Sequence, residues 1–86
     1  MKTLHLVLQS KWFDKVASGE KTSEYRECKS YWDQRFFCNQ YSTVVFHRGY
    51  KNTTMIFEIE SIGITTEPND LGLDKCWEIK LGKRIK

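Results

Sequence analysis

The sequence predicts a small α+β domain that is mostly β: five strands curled into a small barrel, with a short helix plugging one end. Three observations lead there. Five segments of the 86 residues read as strands, against at most two short helices. A single flat sheet of this size would leave an apolar face or two edges open to water, so closure into a five- to six-stranded barrel is the economical arrangement. Aromatic residues make up 14 % of the chain, which gives a thin core large side chains to bury.

The elements follow in order. "TLHLVLQ" alternates, with Leu4, Leu6 and Leu8 on one face and Thr3, His5 and Val7 on the other, and predicts a first strand. Ser10 is placed to cap a short helix over Lys11–Ser18, whose Phe13, Val16 and Ala17 recur at helical spacing. Gly19 follows where a left-handed C-terminal residue is wanted. The polar stretch "EKTSEYRE" comes next as a strand, and "KSYWDQRFF" (Lys29–Phe37) as a helical turn or short helix. A strand over Thr43–His47 ends in a turn at Gly49. "TTMIFEIESIG" is the longest strand, with Met55, Phe57 and Ile59 sharing one face. "ITTEPNDLGLD" reads as a loop. "CWEIKLG" closes the chain with Trp77, Ile79 and Leu81 inward.

Length confines the chain to one domain, 1–86. A charged fraction of 29 % and a net charge of +3 exclude a disordered chain and permit contact with phosphate without demanding it. No apolar run approaches the ~20 residues of a membrane span, and the N-terminal stretch lacks a signal-peptide cleavage pattern, so no membrane partner is expected. Cys28, Cys38 and Cys76 are odd in number and widely spaced, which points to reduced thiols in a cytoplasm.

"GEKTSEYR" (Gly19–Arg26) has no apolar face: Thr22, Glu24 and Arg26 alternate with Ser23, Tyr25 and Glu27. Residues two apart on one strand face are about 6.5–7 Å apart, close enough for long side chains to meet. On a solvent-washed edge, Glu24 and Arg26 form an ion pair worth well under ~1 kcal/mol. On the inner wall of a barrel both charges lose water and must pair or find a ligand. Lys21, at the helix-to-strand turn, reaches the same mouth, giving two cations and a carboxylate that could hold a phosphate or a polar base edge.

The stretch resembles the Gly-x-Lys-x-x-Glu-x-Arg signature of the ASCH domain family (activating signal cointegrator homology), with Gly19, Lys21, Glu24 and Arg26 at its four positions. The likeness covers the whole chain. "LHLVLQSKWFDKVASGEK" is similar to the family's strand and helix ahead of the motif, and "WEIKLGKRI" to the last strand of its small bacterial and phage members. The resemblance implies a PUA-like β-barrel that binds RNA or a nucleotide in a cleft lined by Lys21, Glu24 and Arg26. It also implies an alternative, a metal-independent hydrolase acting on RNA or a modified nucleoside, with Lys21 and Glu24 as catalytic residues. One branch of the family hydrolyses acylated cytidines with a Lys, a Thr and a Glu. Here Glu24 stands at the Thr position, and Glu58 or Glu60 would have to supply the distal carboxylate.

Outside the motif, Tyr31, Trp32, Arg35, Arg48 and Tyr50 form a basic-aromatic set of the kind that stacks bases and tracks phosphates of single-stranded nucleic acid. Trp32 and Tyr31 would serve equally to cover the barrel end. His5 and His47 fall on strands, with Cys28 or Cys38 as conceivable co-ligands, but no Cys-x-x-Cys or His-x-x-x-His spacing supports zinc. No metal, no cofactor and a monomer or weak homodimer are the expectations.

Overall fold

The computed structural model describes residues 2–38 and 40–86. The alternation that opens the chain becomes β1 (Lys2–Leu8), which buries Leu4, Leu6 and Leu8 and leaves Thr3, His5 and Val7 outside. Helix α1 (Ser10–Ala17) follows and buries Phe13 and Val16. It begins one residue earlier than expected. The extended Gln9 is its N-cap, with its carbonyl accepting from the Trp12 and Phe13 N–H groups, and Ser10, expected to cap, is the first helical residue. Next come β2 (Ser23–Glu27), α2 (Ser30–Cys38), β3 (Tyr41–Arg48), β4 (Thr54–Thr65) and β5 (Cys76–Arg84).

The five strands form one sheet in the order β1-β3-β4-β5-β2, with β1 parallel to β3 and the other neighbours antiparallel. The sheet curls into a half-barrel. Its curl has a local cause in β4, whose ladder with β5 shifts register between Phe57 and Ile59 and again between Ile59 and Ser61. Such irregularities bend a strand and increase its twist. The first half of β4 pairs with β3, and the second half hands over to β5. The shifts also change which residues look inward: Met55 and Phe57 are buried before them, and Ile62 packs on the core after them. The strand therefore runs two residues into the segment expected to be a loop, and β5 runs on into the cationic tail as far as Arg84.

The core fills the concave side. Leu4, Leu6, Leu8, Val44, Phe46, Met55 and Ile79 come from the sheet, while Phe13 and Val16 from α1 and Phe36 from α2 cover it. Helix α2 is held down by Trp77. The Trp77 indole N–H donates to Asp33 Oδ1 at 2.7 Å, and Phe36 and Phe37 each lie 5.0 Å from the Trp77 ring, edge to face. Aromatic pairs in that geometry add about 0.5–1.5 kcal/mol each beyond the area they bury.

Candidate functional site

The motif is positioned from both of its ends. Gly19, with φ +84°, breaks α1, and its N–H donates to the Val16 carbonyl. That left-handed conformation suits glycine. The chain then turns so that Lys21 N–H donates to the Lys15 carbonyl and β2 pairs with β5. The register sets Glu24 opposite Ile79 and Arg26 opposite Trp77, both buried. Glu24 therefore faces the core side, and at 4 % exposure it is the one buried charged residue among those described. The edge-strand reading, with the pair in solvent, does not hold.

A buried carboxylate needs partners for both oxygens, and Glu24 has them. Lys21 Nζ lies 2.8 Å from Oε1 and the Arg26 guanidinium 2.8 Å from Oε2. Arg26 also donates to the Tyr25 carbonyl at 3.2 Å, comes to 3.5 Å from the Val7 carbonyl oxygen on β1, and lies 5.4 Å from the Trp32 ring. The guanidinium thus spans the seam between β2 and β1, the two ends of the half-barrel. Lys21 has a second anionic partner in Asp70, from the loop before β5. Burial acts to lower the Lys21 pKa, but hydrogen bonds to Asp70 and Glu24, reinforced by their charges, outweigh it and hold the ammonium above the usual lysine value.

Sequence reasoning missed Asp70, Trp12 and Tyr25. The Asp70 loop is organised by Asn69, whose side-chain oxygen accepts from the Leu71 and Leu73 N–H groups while its amide donates to the Glu67 and Leu73 carbonyls. An Asn-Asp-x-Gly run is a recognisable signal for such a turn, but nothing in it names Lys21 as the neighbour. Trp12, half-buried on α1, gathers three lysines: Lys11 and Lys21 Nζ each 4.8 Å from the ring centroid and Lys15 at 5.4 Å. The outer cleft here, about 410 Å³, is lined by Trp12, Lys15, Lys21, Thr22, Ser23, Tyr25, Asp70 and the carboxylates Glu20 and Glu78. A smaller cavity of about 80 Å³ continues inward to Glu24 and Arg26. Burial, followed by the charges of Glu78 and Asp70, raises the Tyr25 phenol above its ordinary pKa, so it faces this cleft as a hydroxyl.

The remaining expected residues divide. Tyr31, Trp32 and Arg35 do come together on α2: Arg35 lies 4.3 Å from the Tyr31 ring, and all three line a cavity of about 140 Å³ against Thr3 and His5 of β1. Trp32 also stacks on Phe36, 5.6 Å away, so it covers the core as well. Arg48 and Tyr50 do not join them. Arg48 makes two 3.1 Å hydrogen bonds to the Asp14 carboxylate, tying β3 to α1, and Tyr50 stands fully exposed on the following turn. Glu58 and Glu60 line neither motif cavity: Glu58 is exposed opposite Thr43, and Glu60 lines a cavity beside Phe36 and Tyr41. The carboxylates beside the motif are Glu20, Asp70 and Glu78. Among the described residues no group of three or more His, Cys, Asp or Glu is gathered as for a metal, and no helix is long and apolar enough to cross a membrane. Cys28 is half-buried and Cys76 buried, both as free thiols, and the side chain of Cys38 lies outside the described residues.

Compared with protein-family models, with curated proteins and with solved structures, the chain matches none.

Proposed function

We propose that the chain is an RNA- or nucleotide-binding domain of the ASCH kind, with a PUA-like sheet and a ligand cleft walled by Lys21, Glu24 and Arg26. One observation carries the proposal: the inward Lys21–Glu24–Arg26 set borders, through Lys21, a cleft of about 410 Å³ that is also lined by Trp12, whose indole has three lysines around it. That volume falls within the ~300–1,000 Å³ of small-molecule sites. The charges divide the labour. Lys21 and Arg26 are already matched by Asp70 and Glu24, so the inner set is neutral overall. Lys15 on the cleft wall and Lys11 beside the Trp12 ring are the cations placed to meet phosphate. A base stacked on Trp12 would gain about 1–3 kcal/mol, with Thr22, Ser23, Asp70 and Glu78 offering hydrogen bonds to its edge.

The same geometry weighs against the hydrolase alternative. A general base must come within hydrogen-bond reach of the proton it takes. Glu24 is buried between two cations and does not line the outer cleft, and the Lys21 ammonium is held protonated by its two carboxylates.

The test leaves the buried set intact. Lys11→Gln/Lys15→Gln is compared with wild type by fluorescence anisotropy on labelled single-stranded RNA and on a labelled mononucleotide, over a range of salt. If both lysines meet phosphate, the variant's slope of log affinity against log salt falls by about 1.4. An absence of wild-type binding at low salt, or identical curves for the two proteins, overturns the proposal. Turnover of RNA or of an acylated nucleoside by the wild type would put the hydrolase in its place.

A further inference from the structure

Strands β1 and β3 run parallel, and their outer faces carry Thr3, His5 and Val7 beside Thr43, Val45 and His47. Register sets His5 opposite Val45 and Val7 opposite His47, so the two histidines are diagonal neighbours on one face. Their rings meet: His5 Nδ1 lies 3.1 Å from His47 Nε2, with ring centroids 5.4 Å apart. The pair is 42 residues apart in sequence, beyond the reach of any local motif. We propose that His5 and His47 form a binding site for one divalent late first-row metal ion, of the nickel, copper or zinc class, on the outer face of the β1–β3 pair.

With metal–nitrogen bonds of about 2.05 Å, two nitrogens 3.1 Å apart subtend about 98° at the metal. That angle lies between the 90° of adjacent square-planar or octahedral positions and the ~109° of a tetrahedron, so the pair suits any of the three with little movement. Imidazole is a ligand these metals share, and at such sites copper binds more tightly than nickel or zinc. Two protein ligands leave the other positions to water.

The pair is also preorganised. Both residues sit on paired strands, and the Thr3 and Thr43 hydroxyls, 3.0 Å apart, join the same strands one step along. The rings are already in contact, so binding orders little that is free. The ring that donates in the hydrogen bond can take its other tautomer and offer the vacated nitrogen to the metal. Charges near the pair are few: Arg35 of α2 lines a cavity with His5, and the strands themselves add one carboxylate. From Thr3 to Val7, Thr43 to His47 and Thr54 to Glu58, the outward positions of β1, β3 and β4 carry one charged side chain, the carboxylate of Glu58. The site lies outside the motif cleft and stands or falls independently of RNA binding.

The test titrates Zn²⁺ into ¹⁵N-labelled protein and follows ring nitrogens by long-range ¹H–¹⁵N correlation, with Ni²⁺ calorimetry on wild type, His5→Gln and His47→Gln. The expected result is one ion per chain. His5 Nδ1 and His47 Nε2 shift together, and each variant loses at least tenfold in Ni²⁺ affinity while melting like wild type. Ring nitrogens that stay unmoved at millimolar Zn²⁺, Ni²⁺ affinity unchanged in both variants, or shifts confined to the neighbourhood of Cys28 would each overturn the proposal.

Discussion

Replacing Arg26 with alanine removes one of the two cations that hold Glu24. The Glu24 side chain is 5 % exposed and that of Arg26 20 %, and they meet at 2.8 Å, so little water replaces the lost guanidinium. Breaking a buried pair from one side costs about 3–5 kcal/mol. Lys21 still holds Oε1, which places the loss near the lower end, at about 3 kcal/mol. A fold of this length has roughly 4–13 kcal/mol in total, and the expected drop in melting temperature is about 12–24 °C. The assay is urea unfolding of wild type, Arg26→Ala, Glu24→Met and the double variant. Removing the carboxylate as well removes the stranded charge, so the double variant should be more stable than Arg26→Ala, with a coupling of at least about 1.5 kcal/mol. An Arg26→Ala protein within about 1 kcal/mol of wild type would match an exposed ion pair and refute the buried-wall reasoning.

Other consequences follow from the remaining charges and thiols. Because the folded Lys21 pKa lies above its ordinary 10.5, its contribution to stability is complete below that value and is lost as pH climbs through the raised one. Asp70→Asn should lower the Lys21 pKa read by NMR and bring alkaline unfolding to lower pH. Hydrogen bonds from Arg48, opposed by slight desolvation and helped by its charge, lower the Asp14 pKa. That stabilisation is present above the ordinary 3.8 and lost as pH falls through the folded value, so Asp14→Asn should flatten the acid limb of the stability profile. Burial first, and then Cys28 and Glu78, raise the Cys76 pKa. Iodoacetamide should therefore modify Cys28 well before Cys76 in the native protein, and mass spectrometry of digests would detect the order.

Local pattern made the strands legible, and contact at long range hid the site's surroundings. Leu4, Leu6 and Leu8 declare their face because a half-buried strand must alternate, and Gly19 marks the end of α1 because the chain there needs a positive φ. The start of α1 differs from the expected one because Ser10 has a capping side chain, whereas the backbone of Gln9 does the capping. The end of β4 differs from the expected one because two register shifts leave no trace in hydrophobic periodicity. In the motif, spacing set Glu24 and Arg26 on one face but could not say which way that face looked. The pairing of Glu24 with Ile79 decides it. Asp70 and the His5–His47 contact depend on elements distant in sequence that the fold brings together, as does the Asp14 partner that occupies Arg48.

The order β1-β3-β4-β5-β2 bears on how the molecule opens. The two edges of the sheet both come from the first third of the chain, while the middle three strands are sequence neighbours. The middle strands can pair as successive hairpins, but β2, five residues long, has a single ladder to the last strand. Its amides should exchange with solvent faster than those of β3, through a local opening that carries Lys21, Glu24 and Arg26 away from Asp70. A molecule bound in the cleft would have to be released before that opening, and its affinity would then appear as slowed exchange along β2. The seam between β1 and β2, bridged by a guanidinium rather than by a backbone ladder, makes the edge strand a reporter of occupancy.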